Sequence, residues 1–240
     1  MRFWQSVAAV LLLAAVSLGY LVMQAERTQN DLIQEFIPVA GMRHLSLPDG
    51  SQVQLNSKST LLYPKQFTGK ERCVYLVGEA NFKVKPDKKH PFIVKSDDFQ
   101  VTALGTEFNV SAYPENQEIS TALLSGSVLV EWGNLTQRTV LQPDEQLTYD
   151  KENRQFRVVH PDMADVTAWQ RGELVFNEMT VEDIIRVLER KYNYTFVYSL
   201  NQLKKDRLSF RFKDKAPLAE VMDIIVDVAG NLKFLSLIHI

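Results

Sequence analysis

The sequence predicts a mainly β chain that ends in a small α+β unit and is preceded by one apolar helix. Three observations carry this. Phe3–Met23 runs without one charged side chain. From Met42 to Val159 short alternating runs recur about every ten residues between turn residues. Helical periodicity appears only after residue 172. The β part is read as solenoid-like, with a sandwich-like arrangement as the alternative.

The apolar stretch sets the frame. Its 21 residues would extend roughly 31 Å as a helix, the thickness of a bilayer core. Trp4 and Tyr20 lie near its ends, where amphipathic rings favour the interface. Arg2 precedes it and Glu26, Arg27, Asp31 and Glu35 follow, which favours the N-terminus inside and the rest outside. A cleavable signal peptide, cut near Ala25, is the alternative reading; both place residues 26–240 outside the cytoplasm. Five segments are expected. Residues 1–25 form a transmembrane anchor, and 26–41 a juxtamembrane stalk that continues the helix until Pro38 and Gly41 end it. An all-β domain follows over 42–159, a linker over 160–171, and an α+β domain over 172–240.

Within the β region, His44–Leu47 and Gln52–Asn56 flank Pro48-Asp49-Gly50, a turn by chemistry: Pro presets φ and Gly accepts a positive one. Strands follow at Leu61–Tyr63, Cys73–Val84, Phe92–Val94, Phe99–Leu104, Glu107–Tyr113, Ile119–Leu124, Val128–Trp132, Thr139–Leu141, Gln146–Tyr149 and Phe156–Val159. Gly78, Gly105 and Gly126 each follow a leucine by one or two residues and precede a resumed strand. They read as closely packed corners between strands. Asp97-Asp98 fits a tight turn better than an acid–base pair, which needs two carboxylates in different environments.

After the linker, Leu174-Val175-Phe176 is a short strand. Thr180 caps a helix with Asp183 three residues on, and Val181, Ile184, Ile185, Leu188 and Tyr192 share one face. Tyr194–Tyr198 reads as a strand, as does Leu208–Phe212, where Leu208, Phe210 and Phe212 alternate with Ser209 and Arg211. Pro217 opens a second helix lined by Leu218, Val221, Met222, Ile225 and Val228. Gly230 stops it, and Leu232–Leu235 begins another strand. Tyr194, Phe196, Tyr198, Phe210 and Phe212 read as core beneath the helices rather than as a stacking platform.

The composition narrows the function. Net charge is −2 and no Lys/Arg cluster tracks one face, so nucleic acid is not an expected partner. The single Cys73 forms no internal disulfide and is expected as a small buried strand residue. His44, His90, His160 and His239 are scattered, and no zinc spacing, nucleophile elbow, phosphate loop or dinucleotide fingerprint occurs. No catalytic, cofactor or metal residues are expected, and the chain reads as a non-enzymatic interaction module.

Five motifs carry a resemblance: Leu45-Ser46-Leu47-Pro48-Asp49-Gly50-Ser51-x-Val53-x-Leu55-Asn56; Glu71-Arg72-x-Val74-Tyr75-Leu76-x-Gly78-Glu79-Ala80-x-Phe82-x-Val84; His90-Pro91-Phe92-x-Val94; Leu104-Gly105-Thr106-x-Phe108-Asn109-Val110; and Leu124-Ser125-Gly126-Ser127-Val128. In this order they resemble the FecR (ferric citrate regulator) family, the periplasmic regions of anti-sigma factors. From Trp169-x-x-Gly172 onward the chain resembles the C-terminal domain of Bacteroidota-type members, itself similar to the short secretin/TonB N-terminal fold. The resemblance implies a single-pass inner-membrane protein with its bulk in the periplasm. It would read the signalling domain of a TonB-dependent outer-membrane receptor loaded with an iron chelate or glycan. An extracytoplasmic-function sigma factor is implied as a partner only where a cytoplasmic sigma-binding domain precedes the anchor. The family pattern also has a turn and closing strand after a position like Phe234, so residues 172–240 are expected to form a shortened domain. The rival reading is a soluble periplasmic binding or scaffold module released from a signal peptide. The expected receptor contacts are two sheet edges, one at Leu174, Val175 and Phe176 and one at Leu208, Phe210, Arg211, Phe212 and Lys213.

Overall fold

The computed structural model describes residues 11–20, 32–197, 207–213 and 216–229. Residues 11–20 form a helix, α1, whose side chains are all exposed. Among the described residues no helix is long and apolar enough to cross a membrane, and the remainder of Phe3–Met23 lies outside them.

Thirteen strands then form one sheet that curls over on itself. One half runs β1 (Leu32–Phe36), β4 (Thr60–Pro64), β5 (Arg72–Lys83), β6 (Phe92–Ser96), β7 (Phe99–Ala103), β10 (Val128–Trp132) and β11 (Gln137–Leu141). The other runs β2 (Arg43–Ser46), β3 (Gln52–Leu55), β5, β8 (Glu107–Ala112), β9 (Glu118–Ser125), β12 (Gln146–Asp150) and β13 (Gln155–Val159). Only β5 belongs to both. Its first half pairs with β4 and β6, and its second with β3 and β8. A solenoid stacks its rungs in parallel. Here every described pair is antiparallel except β5–β6, so the solenoid expectation gives way to a folded sheet closer to the sandwich alternative.

The inward residues of both halves share one core, including Leu55, Leu76, Phe82, Phe92, Phe99, Phe108, Leu123 and Trp132. Phe82 stacks on Phe108 at 5.3 Å between ring centroids. The turn that admits this arrangement sits in the middle of β5. Gly78 adopts φ +109°, and a Cβ there would lie 2.7 Å from the Cα of Ser59. Ser59 is fully buried and closes the corner: its hydroxyl donates to the carbonyl of Glu79 at 3.1 Å and accepts the Glu79 N–H at 2.9 Å. Gly105 and Gly126 mark two further passages of the chain between the halves, from β7 to β8 and from β9 to β10. The expectation that these glycines are corners is borne out.

The parallel step from β5 to β6 needs a return connection, residues 84–91, and Arg72 holds it. Arg72 is 4% exposed and pairs with Asp49 at 2.6 Å. Its guanidinium also donates to the carbonyls of His90 (2.8 Å) and Lys85 (2.9 Å) and lies over the Phe92 ring. The Pro48–Gly50 turn is therefore tied to the return connection through the Asp49 carboxylate. His90 stays at the surface, where its ring and the Lys89 N–H hold the Asp87 carboxyl down at about 2. Asp97, with φ +52°, turns the β6–β7 hairpin, as its sequence context predicts.

Several expectations need correction. Leu32–Phe36 does not continue a helical stalk: it forms β1, because its alternating side chains suit pairing with β4. Cys73 is half-buried rather than buried, since Arg72, Val74 and Leu76 take the inward positions of β5 and turn it to the other face. Residues 194–197 form no strand, and Tyr198 lies outside the described residues. Val228 is exposed rather than core-lining. Gly230 and Leu232–Leu235 lie outside the described residues.

The linker folds into a one-turn helix, α2 (Met163–Val166), capped by Asp162, and a 3-10 turn, Ala168–Arg171, ended by Gly172 in the left-handed region. The terminal domain follows: β14 (Leu174–Thr180), α3 (Val181–Tyr192), β15 (Arg207–Phe212) and α4 (Leu218–Ala229). The Thr180 hydroxyl accepts the Asp183 N–H, as a capping residue should. Val181, Ile184, Ile185 and Leu188 of α3 pack with Phe176, Leu208, Phe212, Val221, Met222 and Ile225 into a second core.

The Gly78 corner generates a prediction. Gly78→Ala forces an L side chain into a rarely allowed backbone region and against Ser59. It should destabilise the β-domain by about 3 kcal/mol, lowering Tm by roughly 6–12 °C in a thermal unfolding scan.

Candidate interdomain site

The two domains meet on the outer face of the β2–β13 half of the sheet. Gly78 turns the chain so that the next residue, Glu79, faces outward there. Its carboxylate accepts the Asn56 amide at 2.8 Å and the Asn109 amide at 3.0 Å. The Asn109 carbonyl in turn accepts the indole N–H of Trp169, in the linker turn, at 3.2 Å. One chain of hydrogen bonds thus runs from β5 through β8 into the linker. Burial raises the Glu79 carboxyl above the usual carboxylate range, and the two amide bonds and the Arg190 charge hold it back.

Arg190 supplies a second tie. On α3 it stands about 180° around the helix from the mean direction of Val181, Ile184, Ile185 and Leu188. Those residues fill the terminal domain's own core, so Arg190 projects toward the β-domain. It is 6% exposed. Its guanidinium lies 3.9 Å over the Tyr113 ring, a cation–π arrangement, and donates to Glu115 at 3.1 Å and Asn116 at 3.2 Å. The Tyr113 hydroxyl donates to the Ser57 carbonyl, and the Ser57 hydroxyl to the Gly41 carbonyl, each at 2.8 Å. Burial, and then the Glu79 charge, raise the Tyr113 phenol far above its ordinary value, so it stays a donor. The Arg190 backbone carbonyl accepts the Ala40 N–H at 2.8 Å. Between these ties lies a cleft of about 420 Å³, with Gly41, Asn56, Glu79, Trp169, Arg190 and Tyr192 on its walls.

The residues expected to meet a partner lie together in the terminal domain. β14 and β15 pair with each other, Leu174 opposite Phe212, Val175 opposite Arg211 and Phe176 opposite Phe210, so the two expected edges form one two-stranded sheet. Leu174, Phe176, Leu208 and Phe212 are buried in its core. Phe210 is half-buried, and its ring meets those of Phe176 and Phe212 edge to face. On the other face Arg211 forms an ion pair with Asp165 of α2, and Lys213 is exposed. Among the described residues no group of three or more His, Cys, Asp or Glu side chains is placed to hold a metal ion.

Composition and periodicity do not single out Glu79, Asn109, Trp169 or Arg190. The first three do stand inside the quoted motifs, which is the one signal they leave. Two family models match the chain: the FecR protein model over residues 36–129, which takes in Glu79 and Asn109, and the FecR C-terminal model over residues 173–238; Trp169 lies between the two. The chain belongs to the FecR family of anti-sigma factors. Two crystal structures, each of a candidate anti-sigma factor from Parabacteroides distasonis, share its fold. Both are 32% identical in sequence, with TM-scores of 0.79 and 0.78. They cover 83% and 82% of this chain, and the match takes in 92% of each of theirs. No curated protein matches the chain.

The raised Glu79 carboxyl gives the junction a pH signature. The folded state binds this proton more tightly than the unfolded chain, so stability is greatest with the proton bound and falls as pH rises past the unfolded value near 4.5 toward the folded one. In Glu79→Gln that slope should flatten. Thermal midpoints measured between pH 4 and 8 check this; an unchanged slope in the variant would assign the dependence to other groups.

Proposed function

We propose that this FecR-family chain is the sensing and transmitting part of a cell-surface signalling regulator. In this reading residues 3–23 tether it to the inner membrane and residues 26–240 lie in the periplasm. The terminal domain engages the signalling domain of a TonB-dependent outer-membrane receptor, and the chain relays that event toward an extracytoplasmic-function sigma factor. It does so without catalysis.

The observation that carries the reading is the match of both FecR models, one on each folded unit, with the units joined by partly buried hydrogen bonds. A domain held this way can pass a displacement to its neighbour. The Phe3–Met23 stretch and the charges flanking it support the tether and its orientation. In this reading the receptor meets the β14–β15 sheet, whose outer edges carry no further strand among the described residues and so suit an added one. Lys213 stands beside them at the rim, while Arg211 is engaged by Asp165.

Titrating the full chain in detergent micelles with isolated receptor signalling domains tests this reading. Saturable binding to one of them is expected. Lys213→Glu should weaken it about threefold, the size of effect a rim charge commands, and high salt should shrink the difference. Absence of binding by folded protein would favour the scaffold reading. So would carbonate extraction that releases the chain from membranes.

A further inference from the structure

We infer that the Arg190 junction is a relay to the N-terminal side of the β-domain: docking of α3 holds the segment 32–41 in place, and displacing α3 releases it. This deepens the proposed function, on which it rests, by naming where a signal received by the terminal domain goes next.

β1 is weakly held. It is an edge strand paired only with β4 among the described strands. Its burial alternates between exposed and half-buried, and of its apolar side chains Ile33 alone packs against the core, from a half-buried position. Leu32 and Phe36 face solvent. Segments with little buried apolar surface open locally at low free energy. Beyond β1, Ile37 enters the core and its N–H reaches the Ser59 carbonyl at 2.8 Å. The chain then turns through Pro38–Gly41 with Ala40 at φ +58°, a conformation an alanine adopts at a cost. That turn is fastened from outside the segment at three points, the weakest being the Lys58 N–H, which donates to the Pro38 carbonyl at 3.4 Å. The Ala40 N–H donates to the Arg190 carbonyl, and the Gly41 carbonyl accepts the Ser57 hydroxyl.

Arg190 is therefore double-ended. Its carbonyl grips the turn after β1, and its guanidinium is seated among Tyr113, Glu115 and Asn116 of the β8–β9 hairpin. The seat fixes α3, and α3 fixes the turn. A partner that pulls the terminal domain off the sheet must unseat the guanidinium, and the same motion withdraws the carbonyl from Ala40. The strand thus loosened is separated by eight residues from the apolar Phe3–Met23 stretch, so in the proposed topology the relay ends on the membrane side of the chain. Val181, Ile184, Ile185 and Leu188 stay packed throughout, which lets α3 move with its domain as a rigid body. Arg190 acts here as a positioning residue.

Hydrogen exchange of the full chain, read segment by segment, tests the relay. Arg190→Ala should speed exchange of the 32–41 amides at least about fivefold, while β8, β9 and the α3 core keep their wild-type rates. Arg190→Lys, which keeps a cation over Tyr113, should restore part of the protection. Tyr113→Leu, which removes both the ring beneath the guanidinium and the hydroxyl bond to the Ser57 carbonyl, should give the same local pattern at least as strongly. Unchanged rates at 32–41 would overturn the inference, as would a rise spread evenly over the β-domain. A receptor signalling domain at saturation should reproduce the local pattern in the wild-type protein. Receptor binding without that pattern refutes the relay alone. The pattern in the Arg190 variant with no receptor binding supports the relay and refutes the receptor reading.

Discussion

The turn within β5 is the constraint on which the rest depends. A twelve-residue strand has to serve both halves of the sheet, and it can do so only if its middle residue takes a backbone angle closed to L side chains and leaves room for Ser59. Everything inward of that turn becomes core: Val74 and Leu76 on one side, Ala80 and Phe82 on the other. Everything outward is redirected as well. Glu79 lands on the face where the linker and terminal domain dock, and Arg72, at the start of the strand, pins the return connection that the parallel β5–β6 step requires. The corner and the interdomain site are consecutive residues, so the fold and the domain junction share one point.

The junction is polar by construction. A carboxylate, two asparagine amides, an indole and a guanidinium are brought together with partners, and the buried polar groups are matched to one another rather than to apolar surface. Such a contact adds little net stability, because desolvation offsets much of the attraction. It does add specificity, since the groups are satisfied in one relative placement of the two domains. A contact that is specific without being strong suits the proposed relay, in which one arrangement is held at rest and given up to a partner.

Much of this architecture was legible in the sequence, for identifiable reasons. The strands from β2 to β13 announce themselves through period-two alternation, and Gly78, Gly105 and Gly126 through their recurrence after leucines. α3 is legible because Thr180 and the Val181–Tyr192 stripe satisfy capping and periodicity together. β1 was not, because Leu32–Phe36 sits among polar residues after a long apolar helix signal and its pairing with β4 is a long-range event. The solenoid reading failed for a related reason: glycine spacing reports corners but not whether the neighbouring strands run parallel or antiparallel. The site was the least legible part. Arg190 lies on the polar side of an amphipathic helix, where an arginine ordinarily faces water, and only the docked fold turns that side toward Tyr113. Glu79 and Asn109 alternate with core residues as any outward strand position does. Their place within the family motifs marks them as part of a pattern, and the geometry supplies the meaning.

The two domains rest in one defined arrangement held at the Glu79–Asn109–Trp169 and Arg190 contacts. The single native cysteine makes it directly measurable. With Cys73 replaced by serine, spin labels at exposed Lys88 in the β-domain and exposed Glu220 on α4 report the interdomain distance. The free protein should give one narrow distance distribution, which broadens when Arg190 and Trp169 are replaced together. A broad distribution in the wild-type protein, unaltered by those replacements, would contradict it.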